Sequence, residues 1–207
     1  MASSSGFDGI EASFTCSGKS HSLDEELRTH KPSDPTWNKI GACWVFYANP
    51  FAVKPVEVND LAIQLWLDFL SSKEKVTVDC VKEIAVASGV IGGKWLIFVH
   101  KSTIDEVWAK IAKATVERKL GTASKVATVH AAKIQNKNPN LHVICVFTEN
   151  WTDKDDVMRV EKELRSLGVT GVIRYKPDIY THLNLYHGNK YGIKTTIYES
   201  KDKKQSK

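Results

Sequence analysis

The chain has 207 residues, 42% hydrophobic and 26% charged, with a formal net charge of +5 and a pI near 8.9. That length suits one domain with its own core, and the basicity stops short of the pI above about 9 that marks a nucleic-acid-binding domain. No apolar run approaches the roughly 20 residues of a membrane span, and Met1 to Gly18 has no basic start followed by an apolar stretch, so neither a bilayer span nor a secretory signal is expected.

Residues 1–36 read as a flexible Ser/Gly-rich segment, with one short helix suggested by the capping-box pair Ser22 and Glu25 and closed by Lys31-Pro32-Ser33-Asp34-Pro35. A folded domain is predicted over 37–199. Its first strand is Cys43 to Tyr47, rich in β-branched and aromatic residues. Asn59 is placed to cap a helix through Leu70, with Leu61, Leu65 and Phe69 on one face and Trp66 and Leu70 widening it. Thr77 caps a second helix with Val78, Val81, Ile84 and Ala85 inward and Gly89 as its stop. Lys94 to Val99 is the next strand.

Thr103 and Glu106 have capping-box spacing ahead of a helix whose Ile104, Val107, Trp108, Ile111 and Thr115 share a face, with Gly121 as terminator. Strands Lys125 to His130 and Leu141 to Phe147 follow, joined by a polar, basic linker over 132–140. Thr152 is placed as the cap of a helix to Leu167. Strands Gly171 to Tyr175 and Thr195 to Glu199 come last, and 200–207 read as a disordered basic tail. Adjacent strands without an intervening helix argue for an α+β fold: a curved, largely antiparallel sheet with three long helices on one face, at 59–70, 103–119 and 153–167.

The four cysteines, Cys16, Cys43, Cys80 and Cys145, form no Cys-x-x-Cys pair, so reduced thiols in the cytoplasm or nucleus are expected. His182 and His187 lack a third ligand at metal spacing. No Gly-rich phosphate loop, His-Glu-x-x-His helix or nucleophile elbow is present. The chain is therefore read as a non-enzyme with no cofactor, and as a monomer.

Trp44-Val45-Phe46-Tyr47, Gly92-Gly93-Lys94-Trp95-Leu96-Ile97, the helix Ile104 to Lys119 and the strand Val143 to Asn150 together resemble the translation initiation factor 4E family. Gly93-Lys94-Trp95, Lys119-Leu120-Gly121 and Tyr175-Lys176-Pro177-Asp178-Ile179-Tyr180 are more similar still to the uncharacterised basophilic leukaemia-expressed protein family, assigned the same fold. The 4E resemblance implies cap binding by two tryptophans and a glutamate. Here the stretch implied to hold the second tryptophan and its glutamate, Val81 to Gly89, has no aromatic residue and reads as helix, and only Phe51 is available for the first. The cap-binding residues are thus expected to be absent.

The same resemblance implies a phosphate-binding side at Lys125, Lys133 and Lys137. Between Lys110 and Lys137 seven cations face Glu117 alone. Arg174 to Lys194 interleaves Arg174, Lys176, Lys190 and Lys194 with Tyr175, Tyr180, Tyr186 and Tyr191, a pattern that suits single-stranded RNA: rings stack on any base while cations follow the backbone. Lys125, Lys133, Lys137, Arg174, Lys176, Tyr180 and Tyr186 are the expected RNA or nucleotide contacts. The alternative is a protein-interaction module on the helical face, with Trp66 anchoring a peptide helix.

Overall fold

The strand seeded by Cys43 to Tyr47 runs as β2, Ala42–Ala48, in the computed structural model, which describes residues 10–14, 23–52, 60–135 and 138–202. The other strands are β1 (Ile10–Phe14), β3 (Gly93–His100), β4 (Ala123–Ala127), β5 (Leu141–Thr148), β6 (Val172–Pro177) and β7 (Tyr198–Lys201). They form one curved sheet in the order β1-β2-β4-β5-β3-β6-β7. Every pairing from β2 to β7 is antiparallel, and β1 alone runs parallel to its neighbour. The helices are α1 (Leu23–Thr29), α2 (Thr36–Ile40), α3 (Asp60–Ser71), α4 (Val78–Ser88), α5 (Ile104–Val116), α6 (Val129–Gln135), α7 (Lys154–Ser166) and α8 (Asp178–His182).

Side chains alternate across a strand, so each strand feeds both faces. On one face Tyr47, Trp95, Ile97, Val126, Ile144, Val146, Ile173 and Tyr175 join residues of α3, α4, α5 and α7 in the main core. Burying such aliphatic and aromatic side chains is worth about 1.5–3 kcal/mol each, which holds this layer together. Trp95 is fully buried, and its indole N–H donates to the Val157 carbonyl of α7 at 3.0 Å, tying β3 to that helix. On the other face Cys43, Trp44, Ala127, Ala131 and Cys145 form a smaller cluster to which α6 contributes Ala131. The expected α+β layering, with α3, α5 and α7 on one face, is what the chain adopts. The helix beginning after Thr77 belongs to the same layer. Its cap is a reciprocal pair in which Thr77 Oγ1 accepts from the Cys80 N–H and Cys80 Sγ accepts from the Thr77 N–H, both at 3.3 Å.

Several local expectations are corrected. Thr103 makes no capping box, because its hydroxyl donates to the His100 carbonyl and Glu106 pairs instead with Lys110 at 2.7 Å. Gly121 does not end α5, which stops at Val116 with Arg118 in the left-handed region at φ 67°. The strand expected to reach His130 ends at Ala127. Thr128 ends it by donating its hydroxyl to the Ala42 carbonyl and accepting from the Ala131 N–H, which caps α6. Asp153, not Thr152, caps α7. Val78, expected inward, is 45% exposed. The last strand starts at Tyr198 rather than Thr195. The proposed caps Ser22 and Asn59 lie outside the described residues.

Candidate functional site

The face away from the main core carries an ordered set of cations. The strand register fixes it. One row across the sheet reads Phe46, Lys125, Cys145, Leu96, Arg174 and Glu199. The next reads Ala123, Phe147, Lys94 and Lys176. Directly opposed residues in a sheet lie about 5 Å apart at Cβ, so Lys94 and Lys176 are side-by-side neighbours. Their strands place them there because Trp95 and Tyr175, one position away, must point into the core.

Three lysines on this face rest on aromatic rings. The Lys125 ammonium lies 4.4 Å from the Trp44 ring centre and 5.9 Å from that of Phe147. Lys94 lies 5.3 Å from Phe147, and Lys176 lies 4.2 Å from Tyr186. A ring face attracts a cation by about 0.5–2 kcal/mol, more as water is removed, so the rings hold these ammonium groups in place. Lys94 also makes an ion pair with Asp178 at 2.6 Å.

The pKa pattern follows from that crowding. Burial is the strongest single influence on Lys94 and works against its charge, but Asp178, through its charge and its hydrogen bond, together with Cys145 and Tyr186 leaves the ammonium above the ordinary lysine range. Burial and then the Lys94 charge pull Lys176 down to about 8. His182, on α8 beside them, is lowered chiefly by burial, with Lys94 and Lys176 adding to the effect and Asp178 opposing it. Cys145, between Lys125 and Leu96 in the first row, is raised by burial. Among the described residues no group of three His, Cys, Asp or Glu side chains could hold a metal ion, and no helix is long and apolar enough to cross a membrane.

The structure brings some of the expected contact residues together and separates others. Lys125, Lys176 and Tyr186 lie on or beside this face. Lys133 is exposed on α6, which packs on the same face through Ala131. Lys137 lies outside the described residues. Arg174 is on the face but is engaged with Glu199 at 3.0 Å. Tyr180 is fully buried in the main core, so it offers no ring to a base. Trp66 is 6% exposed, stacked on Phe69 and edge-on to Tyr191, and therefore serves packing rather than peptide anchoring. Phe51, 72% exposed, lies under the Arg118 guanidinium at 4.4 Å. Sequence reasoning missed Lys94, Asp178 and His182. The signal was present in Gly-Lys-Trp and Tyr-Lys-Pro-Asp, where strand alternation puts both lysines opposite buried rings.

Fold and site together define an α+β domain whose largely antiparallel sheet packs its main core under helices on one face and bears lysines on the other. The family of the basophilic leukemia-expressed protein Bles03 matches residues 68–184, more than half of the chain, and the chain belongs to that family. Solved structures similar to it include Ascaris suum eIF4E-3 with m7G cap, 18% identical with a TM-score of 0.39 over 55% of this chain and 59% of that one. A schistosome eIF4E complexed with m7GpppA and 4E-BP is 15% identical, TM-score 0.39, over 53% and 58%. C. elegans eIF4E-3 with the 4E-binding protein Mextli and cap analog is 18% identical, TM-score 0.37, over 45% and 54%. The chain thus spans less than two thirds of each of these structures.

Proposed function

We propose that this chain is a non-enzymatic binding protein that takes RNA or a phosphorylated nucleotide on the lysine-bearing face of its sheet. The observation that carries the reading is the register itself: Lys94 and Lys176 opposed on the neighbouring strands β3 and β6, and Lys125 on β4 across β5 from them, each over an aromatic ring. Lysine supplies compact positive charge to phosphate without demanding one geometry. Half-exposed rings such as Tyr186 accept any base by stacking. Lys133 on α6 extends the same charge toward the β2 side. The helical-face alternative has lost its anchor with the burial of Trp66.

Filter binding of single-stranded RNA at a series of salt concentrations tests the reading. Each neutralised phosphate contributes about −0.7 to the log–log salt slope. Contacts at Lys94, Lys125 and Lys176 imply a slope of about −2, and Lys133 would add one further step. Lys125→Ala is expected to flatten the slope by about 0.7 and to weaken all sequences alike. A methylated cap analogue is expected to compete no better than its unmethylated counterpart, since Val81 to Ser88 lie in α4 and offer no ring. Salt-independent binding, or a Lys125→Ala variant with unchanged slope, would count against the proposal.

A further inference from the structure

Building on that reading of the face, we propose that its Lys176 end is a seat for a terminal phosphate monoester, the 5′-phosphate of a nucleotide or of an RNA end, rather than for the bridging phosphates of a continuing strand.

The first argument is accessibility. Lys176 is only 7% exposed, while the Tyr186 ring over it is 37% exposed. A bridging phosphodiester leads chain away on both sides and needs an open groove. A recessed ammonium beside a ring can be reached only by a group that ends there, with its nucleoside outside against the ring.

The second argument is charge. The groups around Lys176 are Lys94 on β3, Cys145 on β5, Asp178 and His182 on α8, and Tyr186. Asp178 is the single carboxylate among them, and it is drawn to Lys94 at 2.6 Å. Among the described residues no carboxylate makes an ion pair with the Lys176 ammonium, which lies over the Tyr186 ring and feels Asp178 only as a nearby charge that Lys94 already holds. A buried cation in that state favours an incoming anion. A phosphate monoester, with a second pKa of about 6, carries close to two charges near pH 7.5, against one for a diester. Those two charges offset two adjacent lysines.

The seat has a proton signature. Lys176 sits at about 8 in the free protein, and a dianion beside it favours its charged form. Binding near pH 8 therefore takes up protons. Affinity should be flat between the phosphate's second pKa and that of Lys176, and should fall on either side.

The test compares one short RNA with a 5′-phosphate and with a 5′-hydroxyl on the full chain, by fluorescence anisotropy at fixed salt. A charge-assisted contact to a buried lysine predicts a preference for the phosphorylated end of about tenfold or more. Lys176→Gln, with folding checked by circular dichroism, should abolish that preference, so that the variant binds the phosphorylated and the 5′-hydroxyl RNA equally. Calorimetry in two buffers of different ionisation heat at pH 8 should show proton uptake for the wild type and none for the variant. Competition by a free nucleoside 5′-monophosphate distinguishes the two sources: full displacement of the phosphorylated RNA at a concentration similar to that of the RNA itself marks a mononucleotide ligand, and displacement only at a large excess marks an RNA end. Equal binding of both RNA ends overturns the terminal seat and leaves the face intact. Failure of both RNAs and of the mononucleotide to bind overturns the face and the seat together. A preference that survives Lys176→Gln overturns the seat's assignment to this lysine.

Discussion

Lys176→Met is expected to stabilise the protein at pH 7 by on the order of 3 kcal/mol. A lysine that titrates at 10.5 in the unfolded chain and at about 8 in the folded one is charged in both states at pH 7. Holding that charge beside Lys94, away from water, costs about 1.4 kcal/mol per unit of depression. Methionine keeps much of the length of the side chain and its contact with Tyr186, and removes the charge. Between pH 8 and 10.5 the unfolded chain binds more protons at this position than the folded one, so the wild type gains stability there as pH rises. The advantage of the methionine variant should shrink across that window and vanish above it. Urea denaturation of both proteins at pH 7, 9 and 10.5 measures this directly. A variant less stable than wild type at pH 7, or a difference independent of pH, would show that the lysine is at ease where it lies. A residue kept at such cost in a core-adjacent position is the pattern expected of a binding group rather than a packing one.

Much of the architecture was legible in the sequence, because period and caps act locally. Leu61 to Leu70, Ile104 to Thr115 and Val157 to Leu164 repeat at helical spacing, and those helices form. Thr77 and Gly89 bracket α4 as their chemistry dictates. The failures come from contacts far apart in the chain. β1 is held by its pairing to β2, some thirty positions away, and the Ser/Gly-rich surroundings of residues 10–14 gave no sign of it. Thr128 ends β4 because the Ala42 carbonyl is there to accept its hydroxyl, which no local pattern records. For the site, composition pointed to the correct segments but not to the correct side chains. Tyr180 and Tyr186 look alike in a tyrosine-rich stretch, yet α8 buries the first at 0% and the loop after it leaves the second at 37%. Lys94 was read as part of a strand motif, since its role depends on Lys176, Asp178 and Phe147, which meet it only through the sheet.

Gly121 gives the strongest single-residue test of how fold and face are joined. A Cβ at this position would overlap the carbonyl of Phe147, which is main chain and has no rotamer by which to retreat. The next residue, Thr122, donates its N–H to that same carbonyl at 2.9 Å, so β4 begins by closing tightly on β5. Gly121→Ala must therefore push the two strands apart just where the Phe147 ring supports Lys94 and Lys125. Overpacking of this kind costs about 1–3 kcal/mol where side chains can yield, and the backbone position puts the expected loss at about 3 kcal/mol or more. Gly168→Ala is the matched control. That glycine has φ +88° and open space around its Cβ, so its loss reflects the left-handed backbone alone, about 1–2 kcal/mol. Denaturant titration should rank Gly121→Ala well below Gly168→Ala in stability. RNA binding measured under conditions where both remain folded should be weakened in the first and unchanged in the second. If the two variants lose equal stability, Gly121 is a turn residue of the ordinary kind and the close approach to Phe147 carries no energetic weight.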